Sequence, residues 1–138
     1  MEQTFAIIKP DGVANGLVGE IIKRIEEDGI RLAAMRLTRL DRRRAEGFYY
    51  VHRSKPFFSS LIDYMTSGPC LLMVLTAPDV INRWRELMGP TNPDEAPRGT
   101  IRGDMGLNIE RNVVHGSDSP QSALYEINYF FRGTDIVV

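Results

Sequence analysis

Cysteine is nearly missing from this chain of 138 residues: Cys70, in Pro69-Cys70-Leu71-Leu72, is the only one. A lone thiol forms no intrachain disulfide and rules out a four-thiolate zinc centre. Its apolar neighbours predict a buried, inert group. An excess of one charge is missing too, since 17 Lys and Arg meet 18 Asp and Glu for a net charge of -1. No chain-wide basic field exists to attract nucleic acid or an anionic membrane, so any phosphate chemistry rests on local positive groups. No segment approaches the ~20 apolar residues of a membrane span. The start, MEQTFAIIKPDG, reaches an acid, a lysine and a proline too early for a signal peptide. A cytoplasmic protein is the expectation, with no membrane partner and no dedicated nucleic-acid binding. G-x-x-x-x-G-K-[ST], G-x-G-x-x-G and H-E-x-x-H are all absent, so nucleotide handling, if there is any, uses neither a P-loop nor a Rossmann turn.

What is present is ordinary for a globular chain. A length of 138 residues fits one domain, expected to span 1–138. Thr4 to Lys9 (TFAIIK) reads as a buried strand that stops at a Pro10-Asp11-Gly12 turn. In GLVGEIIKRIEEDG, Leu17, Val18, Ile21, Ile22 and Ile25 fall on one helical face, with Gly29 as C-cap. IRLAAMRLTRL reads as a second strand, after which Asp41 caps a helix over RRRAEGFYYVH. FFSSLIDYMTSG predicts a short helix ending at Gly68. CLLMVLTA predicts a central strand covered on both faces. PDVINRWRELMG predicts a helix with Pro78 near its start and Gly89 after its end. Residues 90–111 are rich in Pro and Gly and have no clear period, which predicts a long functional loop. NVVHG then reads as a short strand. Ser119 and Pro120 open a last helix as N-cap and first residue, running through Phe131. This order predicts an α+β protein of the ferredoxin-like split βαβ kind. Its single antiparallel or mixed sheet of about four strands is covered by helices.

The candidate chemistry starts from one of only two histidines, His115. It sits where a strand ends, a favoured edge for functional groups. Gly116 is expected to let the backbone turn tightly there, and Ser117 and Asp118 supply short polar neighbours. A neutral imidazole is a competent nucleophile near neutral pH. It needs a partner that fixes its tautomer, and Glu126, nearly two turns into the last helix, can point back toward it. The local pattern alone favours a plainer reading, a hydrogen-bonded loop histidine, and leaves the nucleophile open. Lys9 ends the first strand, Arg85 lies on the helix before the long loop, and Thr91 and Arg102 lie within that loop. Each alone reads as a solvated charge or hydroxyl. Together with a nucleophilic histidine they are what phosphoryl transfer requires, because catalysis there is mostly positioning and charge stabilisation.

TFAIIKPDGV, KPFFSSLIDYMTSGP, GPTNP, GTIRGD and NVVHGSDS, in this order and spacing, resemble the signature blocks of the nucleoside diphosphate kinases over essentially the whole chain. The resemblance implies a homo-oligomer, tetramer or hexamer, and a ping-pong reaction. A nucleoside triphosphate, mainly ATP, gives its γ-phosphate to a histidine, and a nucleoside diphosphate takes it. By resemblance His115 is the phosphohistidine, Glu126 supports its ring and Ser117 assists the glutamate. Lys9 serves the ribose hydroxyl and the transferred phosphate, and Tyr49 stands beside the histidine. Arg85, Thr91 and Arg102 match phosphate ligands, and Asn112 matches the asparagine at the ribose. Phe57 matches the aromatic that stacks on the base, with Ile109 opposite. Mg²⁺ is implied as an ion carried by the phosphates, with no direct protein ligand; Asp118 reads either as a contact through water or as a cap. Apolar faces without hydrogen-bond readout imply broad base specificity. Two other readings are a catalytically silent binding module and a histidine phosphatase. His115 and Lys9 argue against the first, and Phe57, Asn112 and Ile109 against the second.

Overall fold

Alternation along the first strand decides how the molecule is layered. In β1 (Glu2–Ile8), Phe5 and Ile7 enter one core while Ala6 and Ile8 enter the other, and all four are fully buried. The computed structural model describes residues 1–137. β2 (Arg31–Thr38), β3 (Cys70–Ala77) and β4 (Val114–Gly116) join β1 in one sheet of order β2-β3-β1-β4. Every neighbouring pair is antiparallel, so β1 and β2 run the same way on either side of β3. That is the expected split βαβ arrangement. All eight residues of β3 are buried, as expected of a central strand.

α2 (Val18–Glu27), α5 (Val80–Met88) and α6 (Ile101–Met105) cover the face carrying Ala6, Ile8, Met73 and Leu75. α3 (Arg42–Phe48), α4 (Phe58–Met65) and α7 (Pro120–Phe130) cover the face carrying Phe5, Ile7, Leu72 and Val74. Among the described residues no helix is long and apolar enough to cross a membrane. Asp41 caps α3 through Arg44 N–H, and Ser119 caps α7 through Ser122 N–H, both as predicted.

Three local expectations change. The Pro10-Asp11-Gly12 turn is a short helix, α1 (Pro10–Ala14), because Pro10 at its first position has the right φ and lacks only an N–H the helix does not need. The helix expected through His52 ends at Phe48 and continues as a 3-10 turn over Tyr50–His52. Carbonyls near its end are taken by tyrosines of α7: Tyr129 OH donates to Arg44 O at 2.8 Å and Tyr125 OH to Gly47 O at 3.1 Å. The 90–111 stretch holds a 3-10 turn at Pro93–Glu95 and the short α6, whose N-cap Thr100 accepts from Gly103 N–H.

Gly116 has a different role from the one expected. It is outside the left-handed region and pairs in register with Ala6. A Cβ there meets Trp84 Cδ1 at 2.6 Å and Met88 Cε at 2.7 Å, so glycine is required by the closeness of α5. Gly116→Ala is therefore expected to lower stability by about 1–3 kcal/mol, the range for overpacking a tight core. Urea unfolding checks this; a midpoint equal to the parent's means that α5 moves aside without cost.

Candidate active site

Asn112, Val113 and Val114 form a tight reversal just before β4. Val114 N–H donates to Asn112 O at 2.9 Å across Val113, whose φ is 76°. That is a γ-turn with a β-branched residue in the left-handed region, a conformation that costs on the order of 1–3 kcal/mol. Its surroundings hold it: Lys9 N–H donates to Val113 O at 2.7 Å, and Val113 N–H to Asp11 Oδ2 at 3.2 Å. Asn112 is buried and bridges two segments, accepting from Lys9 Nζ at 2.8 Å and donating to Thr91 O at 2.9 Å.

Beyond the turn, β4 pairs His115 with Ile7. The imidazole lies among the rings of Phe48, Phe5 and Tyr49 at centroid distances of 5.5, 6.2 and 6.3 Å, all edge-on. Trp84 Nε1 donates to the His115 carbonyl at 3.2 Å, which pins its backbone. His115 Nε2 lies 2.8 Å from Glu126 Oε1, and Ser117 Oγ donates to the same oxygen at 3.0 Å. Ser117 is itself fully buried and accepts from Phe5 N–H at 3.2 Å. A carboxylate only accepts, so Nε2 carries the hydrogen, and in the neutral ring Nδ1 is the nitrogen with the lone pair. Tyr49 is buried with no partner for its hydroxyl among the described residues, and burial pushes its phenol well above the usual range.

These groups line one cleft of about 1190 Å³. Lys9, Tyr49, Phe57, Arg85, Thr91, Arg102, Ile109, Asn112, His115 and Glu126 all reach it, although they come from distant parts of the chain. Ser117 lies behind Glu126. The cations crowd each other. Burial and then the neighbouring Arg102 push Lys9 down to about 8; burial and then Arg85 push Arg102 down to about 10. Positive groups set this close together make a site for an anion. Phe57 and Ile109 are largely exposed at the mouth, and Ser60 Oγ ties α4 to the loop through Glu110 Oε2 at 2.8 Å.

Arg102 does more than its position in sequence suggests. Its Nη1 donates to Gly89 O at 2.9 Å, Nη2 to Val114 O at 2.8 Å and Nε to Asn112 O at 3.4 Å, leaving further guanidinium hydrogens for a ligand. Asp118 accepts from Ser122 Oγ at 2.6 Å, which holds its carboxyl below the usual range, and it also lines the cleft. Sequence reasoning misses Asp11 and Trp84, whose partners are fixed only by the fold. Among the described residues no group of three or more His, Cys, Asp or Glu is arranged to hold a metal ion.

A family model described as "Nucleoside diphosphate kinase" matches residues 2–136. A nucleoside diphosphate kinase of Desulforapulum autotrophicum is 54% identical over 99% of both chains. One of Archaeoglobus fulgidus is 55% identical over 99% of this chain and 91% of its own. Among solved structures, the Aquifex aeolicus nucleoside diphosphate kinase superposes with a TM-score of 0.97 at 42% identity, covering 99% of both chains. A halophilic nucleoside diphosphate kinase from Halobacterium salinarum in complex with CDP gives 0.96 at 40% identity, covering 99% of this chain and 91% of its own.

The state of Lys9 has a measurable consequence. Unfolded, its ammonium keeps its proton up to about 10.5; folded, it releases it near 8. Between these values the unfolded state binds more protons, so the Lys9 contribution to unfolding free energy rises with pH, by on the order of a few kcal/mol. Urea unfolding at pH 8 and pH 10 is expected to show that rise in the parent relative to Lys9→Met. Equal pH dependence in the two proteins rules out the depressed ammonium.

Proposed function

The chain belongs to the nucleoside diphosphate kinase family of phosphotransferases, and on that premise we propose that it works by a ping-pong route through a phosphorylated His115. The donor is a nucleoside triphosphate, mainly ATP, and the acceptor a nucleoside diphosphate. The observation that carries this reading is the 2.8 Å contact of His115 Nε2 with Glu126. With the hydrogen held on Nε2, the Nδ1 lone pair attacks the γ-phosphorus. The bond from that phosphorus to the bridging oxygen breaks, and the diphosphate leaves with the electron pair. Positive charge that develops on the ring is stabilised by the Glu126 carboxylate, which Ser117 keeps aligned. A second diphosphate then attacks the phosphohistidine with its terminal oxygen and restores the free imidazole.

The cations do the remaining work. Lys9, Arg85 and Arg102 hold phosphate oxygens and stabilise charge in the transition state, and the Tyr49 hydroxyl, without a partner among the described residues, donates beside the histidine. Thr91 adds a hydroxyl, and Asn112 serves the ribose. Phe57 and Ile109 sandwich the base by apolar contact, which is tolerant of base identity. The Halobacterium relative, described with CDP, supports a nucleoside diphosphate as ligand. Mg²⁺ fits as an ion carried by the phosphates, neutralising their charge; the exposed, ionised Asp118 suits a contact to one of its waters. The protein acts as one domain over 1–138, in the cytoplasm, as a homo-oligomer (tetramer or hexamer). Met35 and Leu37, exposed on the edge strand β2, support a face that another copy covers.

Incubation with γ-labelled ATP is expected to give an acid-labile, alkali-stable phosphoprotein. His115→Ala is expected to lose that label and all but a trace of transfer while unfolding at the parent's temperature. Substantial exchange by a folded His115→Ala protein overturns the covalent route. Base selectivity is expected to stay well below the ~10³-fold that requires buried polar groups reading the base edge. Steady-state kcat/KM values for the four common diphosphates measure it, and a single strongly preferred base contradicts the apolar sandwich.

A further inference from the structure

We propose that Asp11 is a positioning residue for the phosphoryl carrier: its carboxylate clamps the strained turn at Val113 that delivers Asn112 and His115 to the same cleft. The inference rests on His115 being that carrier. Oδ2 of Asp11 accepts from Val113 N–H at 3.2 Å, and Oδ1 accepts from the Tyr64 hydroxyl. The Tyr64 oxygen in turn accepts from the Asp11 N–H at 3.2 Å. Burial first, and Asp11 second, raise the Tyr64 phenol well above its usual range, so it remains a donor. Arg111 lies over the same ring at 5.5 Å. One side chain thus joins α1, α4 and the turn that enters β4.

The clamp matters because Val113 otherwise has reason to relax. Val113 is the only β-branched residue at positive φ among the described residues. Its carbonyl is bound by Lys9 N–H, and the next N–H folds back on Asn112 O, which leaves Asp11 as the partner for its own buried N–H. Without the carboxylate that donor is orphaned, and the extended conformation natural to valine becomes the better one. Relaxation at Val113 turns Asn112 away from Lys9 and shifts β4 against β1, where His115 is opposite Ile7. α1 packs directly on the turn: a Cβ on Gly12 meets Val113 Cγ1 at 3.1 Å, so there is little room for water to replace the carboxylate.

The test compares Asp11→Ala in the parent and in a Val113→Gly background, since glycine adopts positive φ without a clamp. The probe is phosphoramidate, a donor with neither base nor ribose; its P–N bond breaks as the phosphoryl group passes to the histidine, and the amino group, protonated, leaves as ammonia. Asp11→Ala is expected to slow His115 phosphorylation on the order of tenfold to a hundredfold, the loss that goes with misplacing a reacting group by about 1 Å. Imidazole ¹⁵N shifts are expected to report mixed tautomers. In the Val113→Gly background most of both effects disappears. A folded Asp11→Ala protein that reacts at the parent rate overturns the proposal, and so does an equal loss in both backgrounds. If Asp11→Ala does not fold alone, the double variant decides: folding with recovered phosphorylation supports the clamp, and failure to fold overturns it. A parent that takes no label on His115 from either phosphoramidate or ATP overturns the carrier assignment and this inference with it. That outcome is distinct from a labelled parent indifferent to Asp11.

Discussion

Three backbone carbonyls, from Gly89, Asn112 and Val114, end on one buried guanidinium, and the working end of the molecule depends on that arrangement. Arg102 has no carboxylate partner among the described residues, so carbonyl dipoles are what make its charge tolerable in the interior. A carboxylate in their place would cancel the charge. Dipoles hold it without cancelling it, and the positive field survives for an incoming anion. The same three bonds join the end of α5 to both sides of the turn that enters β4. Positive charge and strand position are therefore secured by one group.

The pleat divides the labour of the site. His115 shares the face of Ile7 and meets the aromatic rings packed beneath α3 and α7, while Val114 and Gly116 share the other face with Trp84 and Met88. A slip of one residue exchanges these sets and moves the imidazole out of its ring of aromatics. The close contact at Gly116 guards the register from one side, and the turn at Val113 guards it from the other.

Much of this was legible in the chain. The short apolar runs TFAIIK and CLLMVLTA announced a sheet buried on both faces, and the caps at Asp41 and Ser119 marked two helix starts correctly. The signature blocks named side chains that the fold gathers in one cleft. Other features were not legible. α6 has five residues and two neighbouring glycines, too short for periodicity to register. Gly116 looked like a turn residue because local sequence carries no sign of a tryptophan 32 positions earlier. The positive φ at Val113 contradicts its own propensity, and the groups bonded to it, Asp11 and Lys9, come from about a hundred residues away.

Trp84 is the only tryptophan in the chain, and its indole N–H is spent on the backbone carbonyl of His115. Indole emission responds to the field and hydrogen bonding at that nitrogen. Any change of charge on the His115 ring, or movement of the backbone it hangs from, alters both. The protein thus contains a single optical probe bonded to the backbone of His115, with no second indole to dilute the signal. On the proposed phosphohistidine route, each half of the cycle is open to observation in unlabelled protein, by light alone.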